Sequence, residues 1–283
     1  MLARSDVAER EFEFGDREFR LLAGLANRLT GIVLGDSKRE LVYGRLSRRL
    51  RALGLTSFGE YCELVQSPDG GAELALMVDA LTTNLTEFFR EPHHFDHLRD
   101  HVVRPIAEAA RPGASVRLRI WSAGCSSGEE PYSIAMTLRA AVPAIGSWDA
   151  RLLATDVATH VLEQGRLGVY EQRRLHKLPA GFAARFTEPH DDASRRMTSD
   201  LRGMITFKQL NLFGTWPMKG PFDAIFCRNV AIYFDKAAQR TLFDRYADVL
   251  KKNGWLYIGH SENLHNVTDR FEAVGRTIYR RIA

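Results

Sequence analysis

Apolar positions along the chain follow two regimes. In the first part they recur every three or four residues: Phe19, Leu22, Leu25, Ala26 and Leu29, then Val42, Leu46, Leu50 and Leu53, then Phe58, Tyr61, Leu64 and Val65, then Leu74, Met77, Val78 and Leu81. That period is the stripe of an amphipathic helix. A ragged start over residues 1–15 and a small all-helical domain up to about residue 85 are expected. Gly31, Gly35 and the Pro68-Asp-Gly-Gly71 turn separate the helices. Ser37 with Glu40 reads as a capping box, and Thr56 or Ser57 starts the third helix. A linker helix through Leu98, Val102 and Val103 fills 86–113 and breaks at Arg111-Pro-Gly113.

Beyond that break the apolar residues come in short continuous runs. Arg117–Trp121, Arg151–Thr155, Met204–Leu210, Phe222–Cys227 and Trp255–Gly259 read as strands. Between them lie helical patterns from Glu129 to about Ala141, over Thr159–Gln164, and from Lys236 to Leu250 with Asp235 as its cap and Lys252-Asn-Gly254 as its stop. Alternating strands and helices predict a doubly wound α/β domain over 114–283. Phe271–Val274 and Thr277–Ile282 close it as an antiparallel hairpin. Residues 169–203 carry many arginines and little period, and read as an inserted subdomain over the sheet's carboxyl edge.

Composition changes this picture little. The 283 residues are 45% hydrophobic and 26% charged, ordinary values for a globular chain. A net charge of +4 is weak evidence for an acidic partner. Cys62, Cys125 and Cys227 have no metal spacing and fit a reducing cytoplasm. Neither a signal peptide nor a membrane-spanning run is read. His93 and His94 are adjacent rather than one helical turn apart, a poor metal pair, so no metal is expected. Lys38, Arg45, Arg48 and Arg49 gather on one face of the second helix. A basic helix can enter a DNA groove, but no helix-turn-helix accompanies this one, and an acidic protein partner is the preferred reading.

The chemistry centres on Trp121-Ser-Ala-Gly-Cys-Ser-Ser-Gly-Glu-Glu-Pro-Tyr-Ser-Ile134, a strand, a small-residue turn and a helix start. Phosphate cradles keep their N–H groups clear of acids. Glu130 at this helix start therefore suits a ligand whose head is cationic or donates hydrogen bonds. Asp156 ends the second strand, where a ribose hydroxyl pair is held. The Gly124–Asp156 interval exceeds the roughly 20 residues of a nicotinamide fingerprint, and a nucleoside cofactor without phosphates remains. Asn211, Arg228 and Asn229 follow other strands at the same edge.

These stretches, with Thr82-Thr-Asn-Leu-Thr86, Phe88-Phe-Arg-Glu-Pro-His-His-Phe95, Ala154-Thr-Asp156, Phe222-Asp-Ala-Ile-Phe-Cys-Arg-Asn-Val230, Ile232-Tyr-Phe-Asp235 and Gly259-His-Ser-Glu-Asn263, resemble the chemotaxis receptor methyltransferases over roughly residues 16–282. The resemblance implies a Rossmann-like class I methyltransferase sheet and transfer of a methyl group from S-adenosylmethionine to receptor glutamates, with S-adenosylhomocysteine as product. It implies a cofactor site of Asn84, Thr86, Arg90, Glu130, Asp156, Asn211, Leu212, Arg228 and Asn229. Glu130 would meet the amino group of the cofactor's methionine part. Asn211 and Leu212 would hold its adenine. Tyr233 would orient the acceptor, and Arg90, expected to be buried with an anionic partner, would hold charge. The basic helix would dock the helical region of a chemoreceptor. Some members grip a receptor's C-terminal peptide on the insertion, beside a glycine-rich turn. Here Phe186-Thr-Glu-Pro-His-Asp-Asp-Ala-Ser194 has no glycine, which speaks against such a tether. A monomer is expected. The alternatives are a same-fold methyltransferase for another protein or a nucleic acid, and a non-catalytic adaptor. Retention of Arg90, Asp156 and Tyr233 together argues against the adaptor.

Overall fold

The computed structural model describes residues 10–111 and 115–283. Residues 1–9 of the ragged start expected over 1–15 lie outside them, as does the break at Pro112-Gly113. The chain divides into two compact units, Met1–Thr82 and Thr83–Ala283.

The first unit is helical: α1 (Asp16–Thr30), α2 (Arg39–Leu53), α3 (Phe58–Gln66) and α4 (Gly71–Leu81). Each buries the face its apolar period marks, through Phe19 and Leu22, Val42 and Leu46, Phe58 and Tyr61, Met77 and Leu81. Gly31 ends α1 and Gly54 ends α2 in left-handed conformation, the backbone state glycine adopts without a Cβ penalty. Ser57 caps α3 by accepting the Glu60 N–H at 3.2 Å. The expected cap at Ser37 does not form. Asp36–Lys38 is a 3-10 turn and α2 begins at Arg39. Glu40 is drawn instead to Arg10, and Arg39 to Asp16. Carboxylates reach back at two other helix starts, where Glu18 accepts the Gly15 N–H at 3.0 Å and Glu60 the Thr56 N–H at 2.8 Å.

In the second unit the linker helix expected over 86–113 is helical only over residues 93–109. Residues 83–92 are irregular. Then α5 (His93–His97) passes through a π-helical turn at Leu98–Val103 into α6 (Arg104–Ala109). The α/β part follows as β1 (Arg117–Ala123), α7 (Glu129–Ala141), β2 (Asp149–Asp156), α8 (Thr159–Leu167), β3 (Val169–Glu171), α9 (Phe182–Phe186), β4 (Thr187–Pro189), β5 (Ser194–Met197), α10 (Ser199–Met204), β6 (Ile205–Gln209), β7 (Phe222–Cys227), α11 (Lys236–Val249), β8 (Leu250–Ile258), β9 (Phe271–Gly275) and β10 (Ile278–Arg281). Seven strands form one sheet in the order β6-β2-β1-β7-β8-β10-β9, and β3-β5-β4 form a separate small sheet. Strands β6, β2, β1, β7 and β8 run parallel, and β10 is antiparallel to both β8 and β9.

The strand order reverses between β1 and β7, and a ligand crevice opens outside the carboxyl ends at such a switch point. Trp121 on β1 is fully buried. Its ring meets Trp216 edge-on at 4.8 Å, and its Nε1–H donates to the Thr155 hydroxyl at 2.9 Å. The expected stop at Lys252-Asn-Gly254 is instead inside β8, which leaves α11 directly. Asn253 takes a positive φ, and the pairing of β7 with β8 shifts register alongside, so the turn signal marks an irregularity within a strand. No helix among the described residues is long and apolar enough to cross a membrane.

Candidate functional site

The turn after β1 is built by close approach. Gly124 has φ 78°, and a Cβ there would meet the Val230 side chain at 2.3 Å. Gly128 has φ 99°, and a Cβ there would meet the Tyr170 hydroxyl at 2.7 Å. Only glycine satisfies both demands. The Asp156 carboxylate closes the turn, accepting the Ser126 N–H at 2.8 Å and the Ala158 N–H at 3.0 Å. The Ser126 hydroxyl donates to the Asn84 carbonyl at 2.9 Å, tying the irregular 83–92 stretch to the turn. Thr86, two residues further on, is half-buried.

Both acids at the start of α7 are buried. Glu130 accepts from the Ser122 hydroxyl at 2.6 Å and pairs with Arg228 at 3.1 Å. Burial pushes its carboxyl above the usual range, against the pull of Arg228 and Ser122. Arg228, at the end of β7, also stands 3.4 Å from Glu91, donates to the Arg90 carbonyl and lies over the Phe95 ring. For Glu91 burial again acts upward, but Arg228 and His260 outweigh it and hold the carboxyl below its ordinary value. The result is a buried cation between two carboxylates, reached from three chain segments.

Arg90 departs from expectation. It is half-exposed, and its guanidinium makes one long hydrogen bond, 3.4 Å, to the Leu85 carbonyl. No carboxylate pairs with it among the described residues. Its neighbours Phe89 and Glu91 have φ of 51° and 55°. Such left-handed values in larger residues persist only where the surroundings over-determine them. Here Ser133 holds the Phe89 N–H at 2.9 Å, and Arg228 and His260 hold Glu91. The segment leaves Arg90 half-exposed between two partly buried neighbours.

Asn211 and Leu212 follow β6. The Asn211 side-chain oxygen accepts the Phe213 N–H at 2.9 Å, and Leu212 is buried. Asn229 and Tyr233 follow β7 in a turn that Glu262 organises. That carboxylate accepts the N–H groups of Asn229 and Val230 at 3.0 Å each, of Ile232 at 3.2 Å, and of Gly259. Tyr233 is half-buried in a 3-10 turn, and its hydroxyl makes no hydrogen bond among the described residues, whereas Phe234 beside it is buried against Phe213.

Sequence reasoning gave no role to Glu91, Glu129 or Glu262. Glu129 is fully buried, accepts from the Ser127 hydroxyl at 2.7 Å and pairs with Arg174 from the insertion. Glu91, His93 and His94 bring ligand-type atoms within 4.8 Å of one another. The Arg228 guanidinium on the same carboxylate opposes a cation there.

Within the helical unit the four basic residues divide. Arg45 donates to the carbonyls of Leu81 and Thr82 at 2.8 and 2.7 Å, satisfying the end of α4. Arg49 grips the buried Glu73 at 2.9 and 2.6 Å. Lys38 and Arg48 are exposed.

Residues 84–280 match the family described as CheR methyltransferase, SAM binding domain, and residues 17–82 match CheR methyltransferase, all-alpha domain. The probable chemotaxis protein methyltransferase of Rhizobium etli is 46% identical over 88% of this chain and 94% of that protein. Chemotaxis protein methyltransferase 2 of Pseudomonas aeruginosa is 45% identical over 95% of each chain. The chemotaxis protein methyltransferase of Escherichia coli is 44% identical over 93% of this chain and 90% of its own length.

Proposed function

The chain belongs to the CheR methyltransferase family, and from that premise we propose that it methylates glutamate side chains of chemoreceptors with S-adenosylmethionine. The observation that carries the reading is the pair of buried acids at the switch point. Glu130 and Asp156 suit a ligand with a cationic amino group and a ribose, and they suit a phosphate poorly. The cofactor, when bound, supplies an electrophilic methyl group on a sulfonium.

In this reading Glu130, steadied by Ser122 and Arg228, receives the amino group. Asp156 accepts from the ribose hydroxyls, and Asn211 with Leu212 holds the adenine. The acceptor glutamate is ionised at pH 7, so no residue need act as a strong base. One carbon–oxygen bond forms as one carbon–sulfur bond breaks, and S-adenosylhomocysteine leaves as a neutral thioether. The protein's contribution is alignment of the acceptor oxygen with the methyl group. Tyr233 orients the acceptor carboxylate through its hydroxyl, and the half-exposed guanidinium of Arg90 holds its charge.

The helical unit is the receptor-docking part of this proposal, acting through Lys38 and Arg48. Three buried free thiols fit a cytoplasmic setting. A receptor-tail tether is disfavoured. The β4–β5 turn closes without glycine, because Asp191 accepts the N–H groups of Ala193 and Ser194 at 2.9 and 2.7 Å. The edge strand β4 ends in Pro189, which offers no donor to an added strand.

The test incubates the protein with methyl-labelled cofactor and receptor-containing membranes. Base-labile methyl esters on the receptor are expected. Label in nucleic acid or in base-stable protein adducts would overturn the assignment. Titration with a receptor C-terminal peptide, in the same preparation, is expected to show no micromolar binding.

A further inference from the structure

Arg245 lies on α11, outside the strand-end turns described above. Its Nη1 donates to the Leu212 carbonyl and its Nη2 to the Gly214 carbonyl, both at 2.6 Å. Its guanidinium stacks on Trp216 at 4.0 Å, and the Trp216 Nε1–H donates to the same Leu212 oxygen at 3.1 Å. Trp216 is itself braced edge-on by the buried Trp121. The carboxylate one turn along the helix is taken, since Asp248 pairs with Arg270 at 2.6 Å.

The consequence runs through a rigid unit. A peptide group is planar, with its C=O and N–H on opposite sides. Fixing the Leu212 carbonyl against Arg245 therefore fixes the direction of the Phe213 N–H, and that N–H holds the Asn211 side-chain oxygen. The Asn211 carboxamide is thus oriented through the backbone, by a side chain that comes from α11. We propose that Arg245 is a positioning residue for the adenine end of the cofactor, acting through the Leu212–Phe213 peptide on Asn211. This rests on Asn211 and Leu212 holding the adenine.

A groove of about 510 Å³, lined by Phe213, Thr215, Trp216, Met218, Arg245 and Asp248, opens beside the clamp. It gives a small guanidinium access to the space Arg245 occupies, which supplies a test that simple loss of stability cannot imitate. Arg245→Ala and Arg245→Lys are compared with the parent by calorimetric titration with S-adenosylhomocysteine and by methylation rate at saturating cofactor. Loss of two charge-assisted hydrogen bonds is expected to raise Kd about tenfold or more in R245A. The Lys variant, able to reach one carbonyl, should fall between. The kcat should stay within about twofold of the parent, because the reacting atoms are untouched. Millimolar methylguanidinium should lower the Kd of R245A and leave the parent's unchanged. An unchanged Kd in R245A overturns the inference. So does a rise that neither lysine nor methylguanidinium reverses, or a loss of kcat in parallel with the melting temperature. A parent protein that binds no cofactor would instead remove the reading beneath, and this inference with it.

Discussion

The Asp156 carboxylate holds the Ser126 N–H at 2.8 Å, so the acid at the end of β2 also fixes the turn after β1. Two duties meet in one side chain. Asp156→Ala should weaken binding of S-adenosylmethionine by about tenfold or more, since a charge-assisted hydrogen bond is worth roughly 1.5–3 kcal/mol. It should also lower the melting temperature, because two buried N–H groups lose their acceptor. Asp156→Asn keeps an oxygen for the turn and removes the charge, so its affinity should fall with less loss of stability. Calorimetry and thermal melts on both variants read the two effects separately, and unchanged affinity in both would reject the ribose assignment.

Tyr233 and its neighbour Phe234 have opposite environments. Phe234 is buried, while the half-buried Tyr233 has a hydroxyl with no hydrogen bond among the described residues. Tyr233→Phe should therefore leave folding and cofactor Kd nearly unchanged and slow methyl transfer, as expected for a contact made chiefly in the transition state. A variant that methylates at the parental rate shows that the hydroxyl plays no part.

The split among the basic residues gives a paired experiment. Lys38→Glu with Arg48→Glu should slow methylation of intact receptor at low salt, and rising ionic strength should narrow the difference, because exposed charges are screened. Arg49→Ala should act differently. It strands the buried Glu73 with only the Tyr61 hydroxyl at 2.9 Å, a loss on the order of 3 kcal/mol visible in urea denaturation. Equal receptor methylation by the doubly reversed variant and the parent at low salt would exclude these charges from docking.

His94 sets an acid limit on stability. Burial first, then the charge of Arg228, lowers its pKa from 6.5 to about 3. The unfolded chain therefore binds a proton that the folded chain refuses between those values. Stability should be retained above pH 6.5 and fall as pH drops toward 3, by up to ~1.4 kcal/mol per pH unit from this group. Glu91, held below its ordinary value, loses its contribution at the acid end of the same range. His94→Gln should flatten the dependence of the urea midpoint on pH. His97, lowered to about 4, keeps some slope in place. An identical slope in parent and variant would show that His94 does not titrate this way.

Some strand ends were legible because an apolar run stops abruptly at a polar residue, as at Cys227-Arg228 and Ala154-Thr155. The glycines at 124 and 128 were legible for the same local reason. What escaped was long-range. In sequence, Glu129 looks like an acid complementing a helix N-terminus, and its partner Arg174 lies in the insertion. Glu262 accepts from N–H groups far back in the chain, which no spacing encodes. The Ser37–Glu40 spacing fitted a cap, but Arg10 and Asp16 draw the flanking side chains away. Arg90 looked like a buried charge because aromatics precede it, whereas it is half-exposed between left-handed residues on both sides.

The inserted sheet is joined to the turn after β1 by more than its connections. The Tyr170 hydroxyl donates to the Ser127 carbonyl at 2.7 Å, directly against Gly128, and Arg174 neutralises Glu129. The insertion is therefore not a cassette that can be exchanged freely between relatives to retune partner choice. A transplant that omitted Tyr170 or Arg174 would leave a bare carbonyl and an unbalanced acid beside the cofactor turn. The outer hairpin, from Glu188 to Arg196, is the part of the insertion that can be swapped while those anchors stay with the host.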